Sequence, residues 1–194
     1  MRENESRELP TVEELSEELK REKFKRKYRS VLRSTIFTLI TVAAISVLVA
    51  TLILPVLQIY GSSMSPNLGE GDIVVSVKTN TFEKGDIIAF YYNNRVLVKR
   101  IIGMPGDSIV IDDDGNVYVN NELLDEPYLE EKSPGTTDLE YPYTVPQNAY
   151  FVLGDHRETS VDSRNSLIGC IDSEEIVGKI VFRVWPLSGL GSIE

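Results

Sequence analysis

Residues 85–107 read GDIIAFYYNNRVLVKRIIGMPGD. Two runs in this stretch, 86–92 and 95–102, are rich in Ile, Val and Tyr and are short enough to be strands. Working outward, 71–78 (GDIVVSVK) has the same character, as do 108–111, 116–119, 149–153 and 175–185. Gly-Asp pairs precede three of the runs, at Gly71, Gly85 and Gly106. Short strands punctuated by turns, with no long helical pattern between them, predict a mainly β protein built on antiparallel sheet. Alternation along 95–102 puts Lys99 on one face with Leu97 and Ile101, and Arg100 on the other. A lysine in such a strand has two readings. It guards an exposed edge, or it sits in an apolar site where its charged form is disfavoured and its pKa falls. The strand alone leaves both open.

Upstream, the pattern changes. No charged residue occurs between Ser34 and Gly69, and 34–57 is strongly apolar. About 20 apolar residues span a bilayer as a helix, and a cleaved leader usually has a shorter apolar core. The run therefore reads as a retained transmembrane anchor in a lipid bilayer. A basic cluster from Lys20 to Arg33 precedes it, which places the N-terminus in the cytoplasm and the remainder outside. Residues 1–10 are polar and read as mobile. From Thr11 to about Arg29 a helix is expected, with Thr11 and Glu14 as a capping box. The expected organisation is a charged, partly helical cytoplasmic segment (1–33), an anchor (34–57) and an extracytoplasmic β-rich domain (58–194). An acidic insert at about 112–147, a hairpin followed by a long loop, interrupts that domain.

Charge excludes one class of partner. Residues 34–194 hold ten Lys/Arg against twenty-two Asp/Glu, and a phosphate backbone demands clustered positive charge instead, so no nucleic acid is expected. Cys170 and His156 are the single cysteine and histidine, which leaves no Cys/His metal cluster and no intrachain disulfide. Asp112-Asp113-Asp114-Gly115 does not fit the calcium-loop spacing, because Val110 and Asn121 fall at its first and last ligand positions. No metal and no cofactor are expected.

Three further elements bear on chemistry. Ser63 lies in GSSMSPNL (61–68), six residues after Leu57, within about 20 Å of the end of the apolar run even if the chain is fully extended. Lys99 lies in VLVKRIIGMPGD (96–107). GDHRETSVDSR (154–164) gathers Asp155, Arg157, Asp162 and Arg164 around Ser160, a density of opposite charges that reads as an ion and hydrogen-bond network.

Taken in this order, the chain resembles the type I signal peptidases, and the resemblance runs its whole length. Gly61-Ser62-Ser63-Met64-Ser65-Pro66 is similar to the family's catalytic serine box, Gly71-Asp72-Ile73-Val74 to the strand box after it, and 99–107 to its lysine box. Gly154-Asp155 with Arg157, Ser160, Asp162, Ser163 and Arg164 resembles the last box, and 119–130 the stretch that follows the lysine. The single anchor and compact length resemble the Gram-positive branch. Asn67 and His156 depart from the family's usual threonine and asparagine. Gly61 stands where some members carry an oxyanion-hole serine, which leaves more of that task to the Ser63 N–H.

The resemblance implies a membrane-bound serine endopeptidase of a bacterial plasma membrane. It would remove signal peptides from exported preproteins, cleave after small residues, and work beside the export machinery. Ser63 would be the nucleophile and Lys99 the general base. Ser160 would hydrogen-bond the Lys99 amine, and Asp162, Arg164 and Arg100 would brace the site. An extended peptide would bind by strand addition, with Ile59, Gly61, Leu68, Leu97 and Val98 lining its subsites. His156, in a charged loop, is the weaker base. Two other readings compete: a catalytically silent relative that acts as an assembly chaperone, and a peptidase dedicated to one precursor.

Overall fold

The structure, a computed structural model, describes residues 11–193; the polar stretch 1–10 lies outside the described residues. By contacts the chain divides into two units, Met1–Ala50 and Thr51–Glu194.

The first unit is helical. Helix α1 runs Val12–Ile53, with no break between its charged and apolar halves. It opens on a reciprocal cap: Thr11 N–H donates to Glu14 Oε2 at 2.9 Å and Glu14 N–H to Thr11 Oγ1 at 3.3 Å, which satisfies two of the amides a helix start leaves unpaired. Further along, Thr35, Thr38 and Thr41 turn their hydroxyls onto the carbonyls of Val31, Ser34 and Phe37. Each polar group is thereby satisfied within the helix, as an apolar surrounding requires. The helix is long and apolar enough to cross a membrane.

The expected anchor end at Leu57 is corrected. The helix stops at Ile53, and Val56–Gln58 is strand β1. Pro55 is the physical reason, since its ring and missing N–H end a helix and bias the preceding residue to extended backbone.

The second unit is β-structured. After β1 come β2 (Ile73–Val77), β3 (Ile87–Tyr92), β4 (Arg95–Gly103), β5 (Ser108–Ile111), β6 (Val117–Val119), β7 (Glu122–Leu123), β8 (Tyr143–Thr144), β9 (Ala149–Leu153), β10 (Ile171–Asp172), β11 (Ile176–Trp185) and β12 (Gly191–Ser192). The main sheet has the order β1-β2-β11-β3-β4-β9-β10, with β12 also on β11; a second sheet has the order β7-β6-β5-β8. The paired strands are antiparallel.

The main sheet is covered on both faces, which explains why its central strands read as nearly continuous apolar runs. Ile87 and Ala89 of β3 pack with Ile59, Met64, Leu68, Val74 and Ile180 on one side. Ile88 and Phe90 pack with Phe82, Ile101, Tyr150 and Val152 on the other. A third cluster, built on Ile102, Ile109, Val117, Phe151 and Leu153, fastens the small sheet to β4 and β9.

The acidic insert is not an independent flap. Asp112 closes the β5–β6 turn by accepting from the N–H groups of Asp114 and Asn116 and from Asn116 Nδ2. The long stretch between β7 and β8 lies against the 154–164 segment: Glu126 pairs with Arg157, and the Ser133 and Pro134 carbonyls accept from Arg164.

Candidate active site

Met64 and Leu68 are 1% and 0% exposed, and Leu68 N–H donates to the Met64 carbonyl at 2.8 Å. Two core side chains on one tight turn thus fix the segment that carries Ser63. A second tie comes from His156, whose backbone N–H donates to the Ser63 carbonyl at 3.1 Å. Gly154 makes the close approach possible: a Cβ there would lie 2.5 Å from the Ser63 carbonyl oxygen and 2.2 Å from Ser160 Oγ, so no other residue fits without moving one of them.

Lys99 comes from the middle of β4, paired with Ile88 of β3. It is 3% exposed, and its Nζ lies 2.7 Å from Ser63 Oγ, to which it donates. Burial pushes its pKa down to about 8, against an upward pull from Asp162 and Asp155 and with a smaller downward push from Arg164. The upward pull is limited because each carboxylate has its own cation. Asp155 takes a two-pronged bond from Arg100, Nε to Oδ1 and Nη2 to Oδ2, both 2.9 Å. Asp162 accepts from Arg164 Nε at 2.8 Å and Nη2 at 2.9 Å. Asp162 also accepts from the Gly154 N–H at 3.0 Å, which holds the strand end beside the serine.

The expected hydrogen bond between Ser160 and Lys99 is not made. Ser160 Oγ is the buried side-chain polar atom without a partner among the described residues. It is turned onto Gly154, as the close approach there shows. Leu68 is also corrected: it sits wholly in the core and lines none of the cavities next to Ser63. The other expected lining residues do border the serine and lysine. A cavity of about 510 Å³ is lined by Leu57, Gln58, Ile59, Tyr60, Met64 and residues 95–98, with Ser63 and Lys99 at its end. Gly61 lines a second cavity that meets the first at the same two side chains. No protein acceptor among the described residues takes the Ser63 N–H.

His156 points elsewhere. Its Nδ1 is 2.9 Å from Thr159 Oγ1, and its ring lines a separate cavity with Ser65, Glu130, Glu131 and Glu158.

Asn67, Tyr128 and Glu126, to which sequence reasoning gave no part in the site, complete the arrangement. Asn67 Nδ2 donates to Asp155 Oδ2 at 2.8 Å and to the Tyr128 carbonyl at 2.9 Å. The Tyr128 ring lies 4.0 Å from the Arg100 guanidinium, a cation–π contact, and its hydroxyl donates to Glu126 at 2.7 Å. Burial and the Glu126 charge hold that hydroxyl far above the ordinary tyrosine range. The pairing of Asn67 with Asp155 spans 88 positions of chain, a separation at which local sequence carries no signal.

A hydroxyl beside a buried amine with a lowered pKa can be deprotonated at neutral pH and attack a carbonyl. Such a pair, at the end of a cavity bordered by β1 and β4, is compatible with a hydrolase of the serine peptidase class, the class to which the relatives below belong. Comparison with known proteins gives the family. The family model for signal peptidase, peptidase S26, matches residues 32–185. Signal peptidase IB of Staphylococcus aureus (strain COL) is 40% identical over 150 residues, covering 67% of this chain and 77% of that protein. Signal peptidase I of Streptococcus pneumoniae serotype 4 is 30% identical over 174 residues, covering 70% and 84%. The crystal structure of a signal peptidase I from Enterococcus faecalis V583 is 31% identical, with a TM-score of 0.42, covering 51% of this chain and 96% of that one. The chain belongs to the signal peptidase family, peptidase S26.

Proposed function

We propose that this protein is a type I signal peptidase that removes signal peptides from preproteins with Ser63 as nucleophile and Lys99 as general base. The observation that carries the reading is the 2.7 Å approach of Lys99 Nζ to Ser63 Oγ in a site that disfavours the lysine charge. Neutral Lys99 takes the Ser63 proton, and Ser63 Oγ attacks the carbonyl before the cut. Lys99 then gives the proton to the leaving amine. It next activates the water that releases the acyl group. An unperturbed lysine would be neutral in roughly one molecule in a few thousand at pH 7. With the pKa at about 8 the neutral fraction rises to roughly one in ten. The difference relieves the barrier by about 3 kcal/mol.

The open edges of β1 and β4 support strand addition. On β4, strand β3 pairs along one edge from Arg95 to Arg100, while β9 joins the other edge only from Arg100 onward. Residues 95–99 therefore keep one edge for an extended peptide. Its side chains nearest the cut would meet Ile59, Leu97 and Val98, a fit for small residues. The free Ser63 N–H would receive the developing oxyanion, while Arg100, Asp162 and Arg164 hold β4 and the 154–164 segment in place around Lys99. The apolar half of α1 anchors the chain in a bacterial plasma membrane, with the basic half in the cytoplasm and the second unit outside, where the export machinery delivers preproteins.

The test is cleavage of a preprotein by the full chain in detergent. Ser63→Ala and Lys99→Ala should each abolish it while the chain stays folded. Cleavage within tenfold of wild type in either variant would remove the dyad from the reaction.

A further inference from the structure

The two cavities that meet at Ser63 and Lys99 share three more side chains: Tyr60, Leu97 and Arg95. Their linings contain no carboxylate. The charged residues that border them are Arg95 and Lys99, in a unit whose overall balance is strongly acidic. Lys99 is buried and its amine is turned onto Ser63 Oγ, so the positive charge that this cleft offers at its open surface is that of Arg95. Arg95 is exposed. It has no ion pair among the described residues, in contrast to Arg100, Arg157, Arg164 and Arg183, each of which holds a carboxylate.

Its place on the strand gives the register. Arg95, Leu97 and Lys99 alternate onto one side of β4. Four residues of strand put Arg95 about 13 Å from Lys99 along the open edge. A peptide laid on that edge, its scissile carbonyl at Ser63, would pass Arg95 with the residue about four positions further upstream.

We propose that Arg95 is a specificity-determining residue, which reads the charge of the substrate about five residues before the cut, favouring a carboxylate there and disfavouring a cation. The inference rests on the peptide-binding reading above. It deepens that reading by assigning a second point of recognition beyond the small residues next to the cut. The contact is solvent-exposed, so its effect is modest and falls with salt.

The experiment uses three peptides that differ only at the fifth residue before the cut, carrying Glu, Gln or Lys. The full chain is assayed in a neutral detergent. Wild type should prefer Glu over Lys by about three- to fivefold in kcat/KM, as expected for an exposed pair. Arg95→Gln should bring the ratio close to one, and Arg95→Glu should invert it. Raising the salt to 1 M should shrink the wild-type ratio. A purely structural role for Arg95 would lower cleavage of all three peptides together and leave the ratio in place, which overturns the proposal. So does a wild-type ratio of one.

Binding of the same peptides to Ser63→Ala, read by fluorescence anisotropy, separates this inference from the catalytic one. A charge-dependent affinity that Arg95→Glu inverts upholds Arg95 even where turnover contradicts the dyad. Affinities that ignore the charge, or no binding at all, overturn it.

Discussion

Arg100 and Asp155 form a two-pronged ion pair in which the side chains are 2% and 0% exposed, one residue along from Lys99 on β4. Breaking a buried pair by removing one partner leaves an uncompensated charge and costs about 3–5 kcal/mol. Asp155→Asn should therefore destabilise the second unit by about that amount, measured by chemical denaturation. It also removes one of the charges that raise the Lys99 pKa. In the fraction that remains folded, the acid limb of the pH–rate profile should move to lower pH. A limb that moves upward would contradict the direction of that coupling.

The pH profile of the wild type follows from Lys99 itself. Its folded pKa of about 8 lies below the ordinary lysine value because of burial. The reactive neutral form gains population as pH rises, so kcat/KM should climb through an apparent pKa near 8 and level off above it. An acid limb that disappears in His156→Asn would move the base to His156. A rate still rising beyond pH 10 would show an ordinary, solvated lysine.

The same shift has a stability consequence of defined sign. Below about pH 8 both the folded and the unfolded chain carry the Lys99 charge, and the folded state bears the cost of burying it. Between pH 8 and about 10.5 only the unfolded state binds that proton, so stability rises with pH across this window. Lys99→Met, which keeps the length without the charge, should raise stability at pH 7 by up to about 3 kcal/mol. The advantage should fade as pH approaches 10.5. Equal melting curves for the two proteins at pH 7 would rule out the buried charge.

Ser160 offers a test in which stability and packing separate. Its hydroxyl is buried without a partner, a situation that costs about 1–3 kcal/mol. Ser160→Ala removes the unsatisfied group and leaves the Cβ that packs against Gly154. The variant should be at least as stable as wild type and up to about 1 kcal/mol more so. A loss of 2 kcal/mol or more in thermal or denaturant unfolding would mean that the hydroxyl has a partner in solution.

His156→Asn should keep activity within about threefold, since the imidazole bonds to Thr159 and lines a cavity apart from Ser63. The tie to the Ser63 carbonyl uses the backbone N–H of that position, which asparagine retains. A kinetic assay of the purified variant at pH 8 decides it.

Much of the main sheet was legible because β2, β3, β4 and β9 are short apolar runs between turns. The serine and lysine could be named from their boxes, but only the fold brings them to 2.7 Å. Local pattern failed at β1, whose Val56 and Leu57 merge with the apolar run before them; Pro55 was the available mark of the break. It failed again between β7 and β8, where prolines and acids read as free loop. There the structure depends on Glu126, Tyr128 and Pro134, which meet charges from distant segments. Leu68 went astray for a simpler reason: nearness in sequence to Ser63 does not tell which side of a turn faces the core. Ser160 was placed by resemblance, and its side-chain torsion is a degree of freedom that resemblance does not fix.

The half of β4 that leaves one edge unpaired has a further consequence, for solubility. An unpaired strand edge is a template for another copy of the same chain, and natural sheets protect such edges with charge or shape. Here the protection has to leave the edge usable. Arg95 stands where two copies docking edge to edge would bring like charges together, and Asn93 and Asn94, both at positive φ, bend the backbone away just before it. An incoming single peptide with no cation at that register meets no such repulsion. Neutralising Arg95 should thus raise the tendency of the protein to self-associate at high concentration, apart from any change in what it cuts.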